Sequence, residues 1–106
     1  MKTVERFVAE ELERDPEFRR EWERTALARE MAVAIVGYRA AHKLSQRALA
    51  KKLGRLPSVV SRLEASEHNP SMETLLELSR KLGLKVRIEV TPARSLSVKV
   101  TKARAA

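Results

Sequence analysis

The stretch LSQRALAKKLGRLPSVVSRLE, residues 44–64, decides the fold. Its apolar residues recur at helical spacing, and its punctuation cuts it in two. Ser45 has the side chain of a helix N-cap, whose oxygen accepts a hydrogen bond from an amide in the first turn. Gly54 suits the left-handed residue that closes a helix, because it has no Cβ to clash there. Pro57 fits a first helical position, where its missing N–H leaves no bond unmade. The stretch therefore reads as two short helices joined by a tight glycine turn. Leu49, Leu53, Val60 and Leu63 can meet between them, and Ala50 is small where the helices must approach closely.

Working outward, EHNP (67–70) is a loop and SMETLLELSRKLG (71–83) is a well-marked helix, with Ser71 as cap and Gly83 as stop. The period then changes. LKVRIEV (84–90) alternates strictly, with Leu84, Val86, Ile88 and Val90 on one face and Lys85, Arg87 and Glu89 on the other, the pattern of a half-buried strand. SLSVKV (95–100) alternates more weakly, and TKARAA (101–106) reads as a frayed basic tail. On the other side, Val4, Phe7, Val8 and Leu12 have amphipathic helical spacing. Asp15-Pro16 ends that helix and caps the next, which continues to about residue 43 with a break expected near Thr25. Leu27, Met31, Ala34, Ile35 and Tyr38 form its apolar stripe.

The 106-residue chain is long enough for one compact domain with appendages. It has no cysteine, which excludes disulfides and thiolate zinc sites and fits a reducing cytoplasm. Its two histidines, His42 and His68, lack carboxylates at metal-binding spacing, so neither metal nor cofactor is expected. With no phosphate-cradling glycine loop and no histidine–carboxylate constellation either, we expect no enzyme. No run of 18 apolar residues is present, so no membrane span is expected, and the acidic start lacks the apolar centre of a secretory signal. The net charge of +8 is unevenly spread. Residues 1–28 carry 6 basic and 8 acidic side chains, residues 29–83 carry 10 and 5, and residues 84–106 carry 6 and 1. A basic middle and end point to a polyanion, and the acidic start to a separate role.

Two helices around a tight turn make a helix-turn-helix, and here the likeness becomes specific. Leu44-Ser45-Gln46, Leu49-Ala50, Leu53-Gly54, Ser61-Arg62-Leu63-Glu64 and Asn69-Pro70-Ser71 occur in the order and spacing of the lambda-repressor-like (Xre) DNA-binding domain, which residues 39–83 resemble. The resemblance implies a mainly α fold: a five-helix lambda-repressor-like helix-turn-helix domain with extra N-terminal helices, followed by a C-terminal β-strand used in dimerisation. The expected division is 1–28, 29–83 and 84–106. It also implies a salt bridge between Arg39 and Glu64, and makes the helix from Pro57 the recognition helix, laid in the major groove of double-stranded operator DNA.

The DNA-binding candidates are then Gln46, Arg47, Ser58, Val59, Ser61, Arg62 and Asn69. Arg62 suits a bidentate contact to guanine and Val59 a thymine methyl, while Ser58 and Ser61 suit either base or phosphate. Gln46, at a helix start, and Asn69, in the loop, suit phosphate. The sequence departs from the family pattern at Leu56 and Pro57, where a hydroxyl cap and a glutamine are usual. The whole layout is similar to the HigA-like antitoxins of type II toxin–antitoxin modules, including a segment of the type Asp15-Pro16-Glu17-Phe18-Arg19. That likeness implies a cytoplasmic homodimer that binds a RelE/HigB-like ribonuclease toxin and represses its own promoter. Phe7, Phe18 and Trp22 become toxin-binding candidates; the other reading of Phe18 and Trp22 is that they extend the core. Val86 and Ile88 are the dimerisation candidates. The rival reading of the whole chain is a stand-alone repressor.

Overall fold

The computed structural model describes residues 3–92 and 96–103. Along the chain these form α1 (Val4–Arg14), α2 (Pro16–Arg24), α3 (Ala26–His42), α4 (Gln46–Leu53), α5 (Pro57–Ala65), α6 (Met72–Leu82), β1 (Leu84–Val90) and β2 (Leu96–Lys102). The fold is mainly helical with a small two-stranded antiparallel sheet.

Most boundaries follow from local chemistry. Ser45 Oγ accepts from the Ala48 amide at 3.0 Å, and Ser71 Oγ from the Thr74 amide at 3.1 Å. Asp15 Oδ1 accepts from the amides of Glu17 and Phe18 while Pro16 opens α2. Gly54 and Gly83 close α4 and α6 with φ of 69° and 65°, where a side chain would be strained. The expected break falls at Thr25. Its hydroxyl donates back to the Glu21 carbonyl at 2.9 Å, a bond of the kind that bends helices.

The core lies among α3 to α6. Leu27, Met31 and Ile35 of α3 meet Leu49, Ala50 and Leu53 of α4, Val60 of α5, Leu75, Leu78 and Leu82 of α6, and Leu84 of β1. Ala34, Tyr38 and Leu63 pack against this cluster and are partly buried. The α1–α2 arm is different, for it contributes no buried residue.

The C-terminus differs from expectation. Thr101 and Lys102 are not a frayed tail; they belong to β2, paired with Lys85 and Leu84. The Ala103 amide then donates to the Gly83 carbonyl at 2.8 Å. Residues 104–106 lie outside the described residues. β1 pairs along its full length with β2, so one of its two edges is satisfied inside the chain. Val98 and Val100 join Leu84 and Val86 on the face toward the helices. Burial fades along β1, from Leu84 at 8% exposed to Val90 at 73%, as the hairpin runs past the helices that cover it.

Candidate nucleic-acid interface

α5 is held from behind. Val60 is fully buried and Leu63 is half-buried, which turns the opposite surface of the helix outward. Ser58, Ser61 and Arg62 are exposed at i, i+3 and i+4, on one face, with Val59 half-buried beside them. Among the described residues Arg62 and Arg47 have no ion-pair partner, so their donors are available to a ligand.

The helix is uncapped by any side chain: Leu56 occupies the N-cap position and Pro57 follows. Leu56 is 70% exposed, an apolar group held at the tip of α5. Sequence reading noted it as a missing cap and overlooked it as a surface. An exposed leucine beside Ser58 can meet a thymine methyl in the major groove.

A network of four residues sets the angle of α5. Arg39 at the end of α3 grips Glu64 of α5 with two hydrogen bonds, Nε to Oε2 at 2.6 Å and Nη2 to Oε1 at 2.8 Å. Gln46 Nε2 donates to Glu64 Oε1 at 3.0 Å, and Arg39 Nη1 donates to the Leu44 carbonyl at 3.2 Å. The pair therefore fastens α3, the α4 entry and α5 at one point. The Arg39 hydrogen bonds hold the Glu64 carboxyl below its ordinary range, against the opposing effect of burial, with Gln46 assisting. One end of the Gln46 amide is thus used inside the protein, and its oxygen accepts no hydrogen bond from the described residues.

Two cations near α5 are bound within the fold. Arg55, in the turn, binds Glu77 of α6 with Nη2 to Oε2 at 2.6 Å. Lys81 donates to the Leu53 carbonyl at 2.6 Å, which caps α4 from another helix, and also meets Glu77 at 3.3 Å. The Arg55 hydrogen bond, helped by Lys81, lowers the Glu77 carboxyl to about 2.

Asn69 has a structural task that its sequence position did not reveal. Its Oδ1 accepts from the Ala28 amide at 2.9 Å and its Nδ2 donates to the Arg24 carbonyl at 2.8 Å. It supplies the N-terminal cap that Thr25 does not, from 41 residues away. The loop after α5 is thereby pinned to the junction where the α1–α2 arm joins the domain.

In that arm, Phe18 and Trp22 lie together with ring centroids 5.9 Å apart, both half-buried. The Arg29 guanidinium sits 3.5 Å from the Trp22 ring centroid and donates to the Trp22 carbonyl at 3.1 Å. Neither aromatic belongs to the core cluster. Phe7 of α1 is 54% exposed. On the far side, Val86 and Ile88 join Met72, Leu75, Leu76 and Ser79 around a groove of about 230 Å³ between β1 and α6. Met72 and Leu76 are 66% and 46% exposed, so the groove opens through an apolar rim.

The model of the helix-turn-helix family matches residues 37–88. That segment runs from the last turns of α3 through α4, α5 and α6 into β1. Neither curated proteins nor solved structures give a significant match to the chain.

Proposed function

From the premise that residues 37–88 are a helix-turn-helix domain, the DNA-binding part of a transcription regulator, we propose that the protein is a dimeric antitoxin that represses its own promoter. α5 enters the major groove, Arg62 reads guanine, Val59 and Leu56 meet thymine methyls, and Ser58 and Ser61 contact base or backbone. Arg47 and the free end of Gln46 lie at the α4 start and take phosphate. Asn69 serves this surface by positioning its loop.

The observation that carries the antitoxin reading is the α1–α2 arm. It holds an aromatic pair and an exposed Phe7 outside the core, on helices with more acidic than basic side chains. Large aromatics beside acidic groups suit a basic protein partner such as a RelE/HigB-like ribonuclease. A second copy of the chain closes on the α6–β1 groove through Leu76, Val86 and Ile88, covering apolar surface that a monomer leaves wet.

The matched segment by itself supports the smaller reading, a repressor with no toxin partner. One set of measurements separates them. The reading expects the purified protein to bind a palindromic promoter fragment as a dimer, with affinity falling ~10³–10⁵-fold between about 50 and about 200 mM salt if some 6–10 phosphates are neutralised. It expects Leu76→Asp with Ile88→Asp to give a folded monomer in sedimentation. It expects co-expression to protect cells from the toxin encoded beside it. Promoter binding without protection selects the stand-alone repressor; a flat salt response removes both.

A further inference from the structure

The outward face of the β1–β2 hairpin is built from charge that the fold does not need. Lys85, Arg87 and Glu89 of β1 stand opposite Thr101, Lys99 and Ser97 of β2, all on the face away from the helices. Arg87 and Lys99 are directly paired across the strands. Cβ atoms in such pairs are roughly 4.5–5.5 Å apart, and like charges placed so destabilise a sheet. Neither has an ion-pair partner among the described residues, and Glu89, one step along, does not relieve them. Lys85, Arg87, Lys99 and Thr101 together surround a shallow cavity of about 180 Å³. All four side chains are exposed, and the patch presents three cations and a hydroxyl without an apolar side chain.

We propose that this face is a second nucleic-acid contact, in which Lys85, Arg87, Lys99 and Thr101 grip phosphodiester backbone outside the site read by α5. The proposal rests on the DNA-binding reading of α5 only for its biological setting. Lysine, arginine and hydroxyl side chains are the groups that hold phosphate oxygens without reading bases. An apolar-free patch lacks the aromatic or aliphatic anchors that protein partners use, which favours a polyanion over a folded protein. The hairpin packs mainly on α3 and α6, so its cations are set apart from α5.

The test combines Lys85→Gln, Arg87→Gln and Lys99→Gln in the full chain. Titrations over a range of salt use a minimal operator duplex, the same duplex extended by one helical turn on each side, and a random-sequence duplex of the longer length. Each phosphate contact contributes about 0.9 to the salt slope, so the slope on the longer duplexes should fall by on the order of 2–3 per protomer, with the operator-over-random preference kept. Loss on the extended duplex alone means that flanking DNA of the same molecule is held. Equal loss on the minimal duplex would put the contacts within the operator footprint and overturn their placement outside the site read by α5.

Lys99→Glu alone supplies an independent reading, because it replaces repulsion from Arg87 with attraction. It should raise Tm while lowering affinity for the random duplex several-fold. Unchanged slopes on all three duplexes overturn the proposal. So does loss of binding to a polyglutamate peptide with DNA binding intact, which would assign the face to an acidic protein. Failure of the operator reading shows separately, as a parent protein with no operator preference; the random duplex still reports on the hairpin.

Discussion

The α3–α6 domain and the α1–α2 arm use apolar residues in opposite ways. In the domain, Met31, Ile35, Leu49, Leu53, Val60 and Leu78 are each at most 2% exposed, and every inward polar contact has a partner. In the arm, no residue is fully buried, although Val4, Phe7, Val8, Leu12, Phe18 and Trp22 give both helices apolar faces. A helix that keeps its apolar face half-wet gains little from the rest of the chain. The difference teaches that the domain is stabilised by its own packing, whereas the arm has apolar surface left to give to something else.

The most severe way to probe the comparison is to open the domain's core. Leu49→Ala removes a fully buried side chain and should cost about 2–5 kcal/mol, enough to unfold much of so small a domain and to abolish operator binding. Thermal melting followed by DNA titration checks this. Near-normal melting would mean that the core carries less than its packing implies.

The matching change in the arm should leave the domain standing. Phe18→Ala with Trp22→Ala should preserve melting and operator binding while weakening the proposed toxin contact by about 2 kcal/mol or more, roughly thirtyfold. A collapsed Tm with operator binding gone would join the two regions into one core and break the comparison.

Within the domain, Arg62→Ala should cost about 1–3 kcal/mol on the operator and distinctly less on random DNA. Equal losses on both would move Arg62 to the phosphate class and leave specificity to DNA shape. At the seam, Asn69→Ala removes the remote cap of α3 and should cost about 0.5–2 kcal/mol, seen as faster amide hydrogen exchange around Ala28 without loss of the α4–α6 core.

The smallest expected effect is electrostatic. Glu77 is lowered from 4.5 to about 2 by Arg55, and Glu64 is lowered by Arg39. A depressed carboxyl adds stability above its unfolded pKa and loses it as pH falls through the folded one. Denaturant melts should therefore show stability level down to about pH 5, then decline from about 4.5 toward 2, and Glu77→Gln should flatten part of that decline.

Much of this is legible in the sequence, and the reason is locality. Ser45, Ser71, Asp15, Gly54 and Gly83 act on amides and carbonyls within a few residues, so their roles follow from spacing alone. The helical stripes of α3 and α6 and the alternation of β1 were equally readable. Arg39 with Glu64 came into view only through the family likeness, since 25 residues separate them. The frayed-tail expectation at Thr101 and Lys102 failed because two polar residues in a row break the apolar alternation that marks a strand; their pairing with Lys85 and Leu84 holds them.

By itself, then, the sequence determined the helices, the turns between them and β1, which side chains are apolar enough for a core, and that α5 opens without a hydroxyl cap. Only the tertiary structure decided how charge and hydrogen bonds are shared between distant segments. It turned Arg55 to Glu77 and Lys81 to the Leu53 carbonyl. It made Asn69 the clasp of the arm. It set Arg87 against Lys99 and closed a groove between α6 and β1. Caps and periodicity depend on near neighbours and are written in the local order of residues, whereas these pairings depend on helix packing and strand register, which arise only when the whole chain has folded.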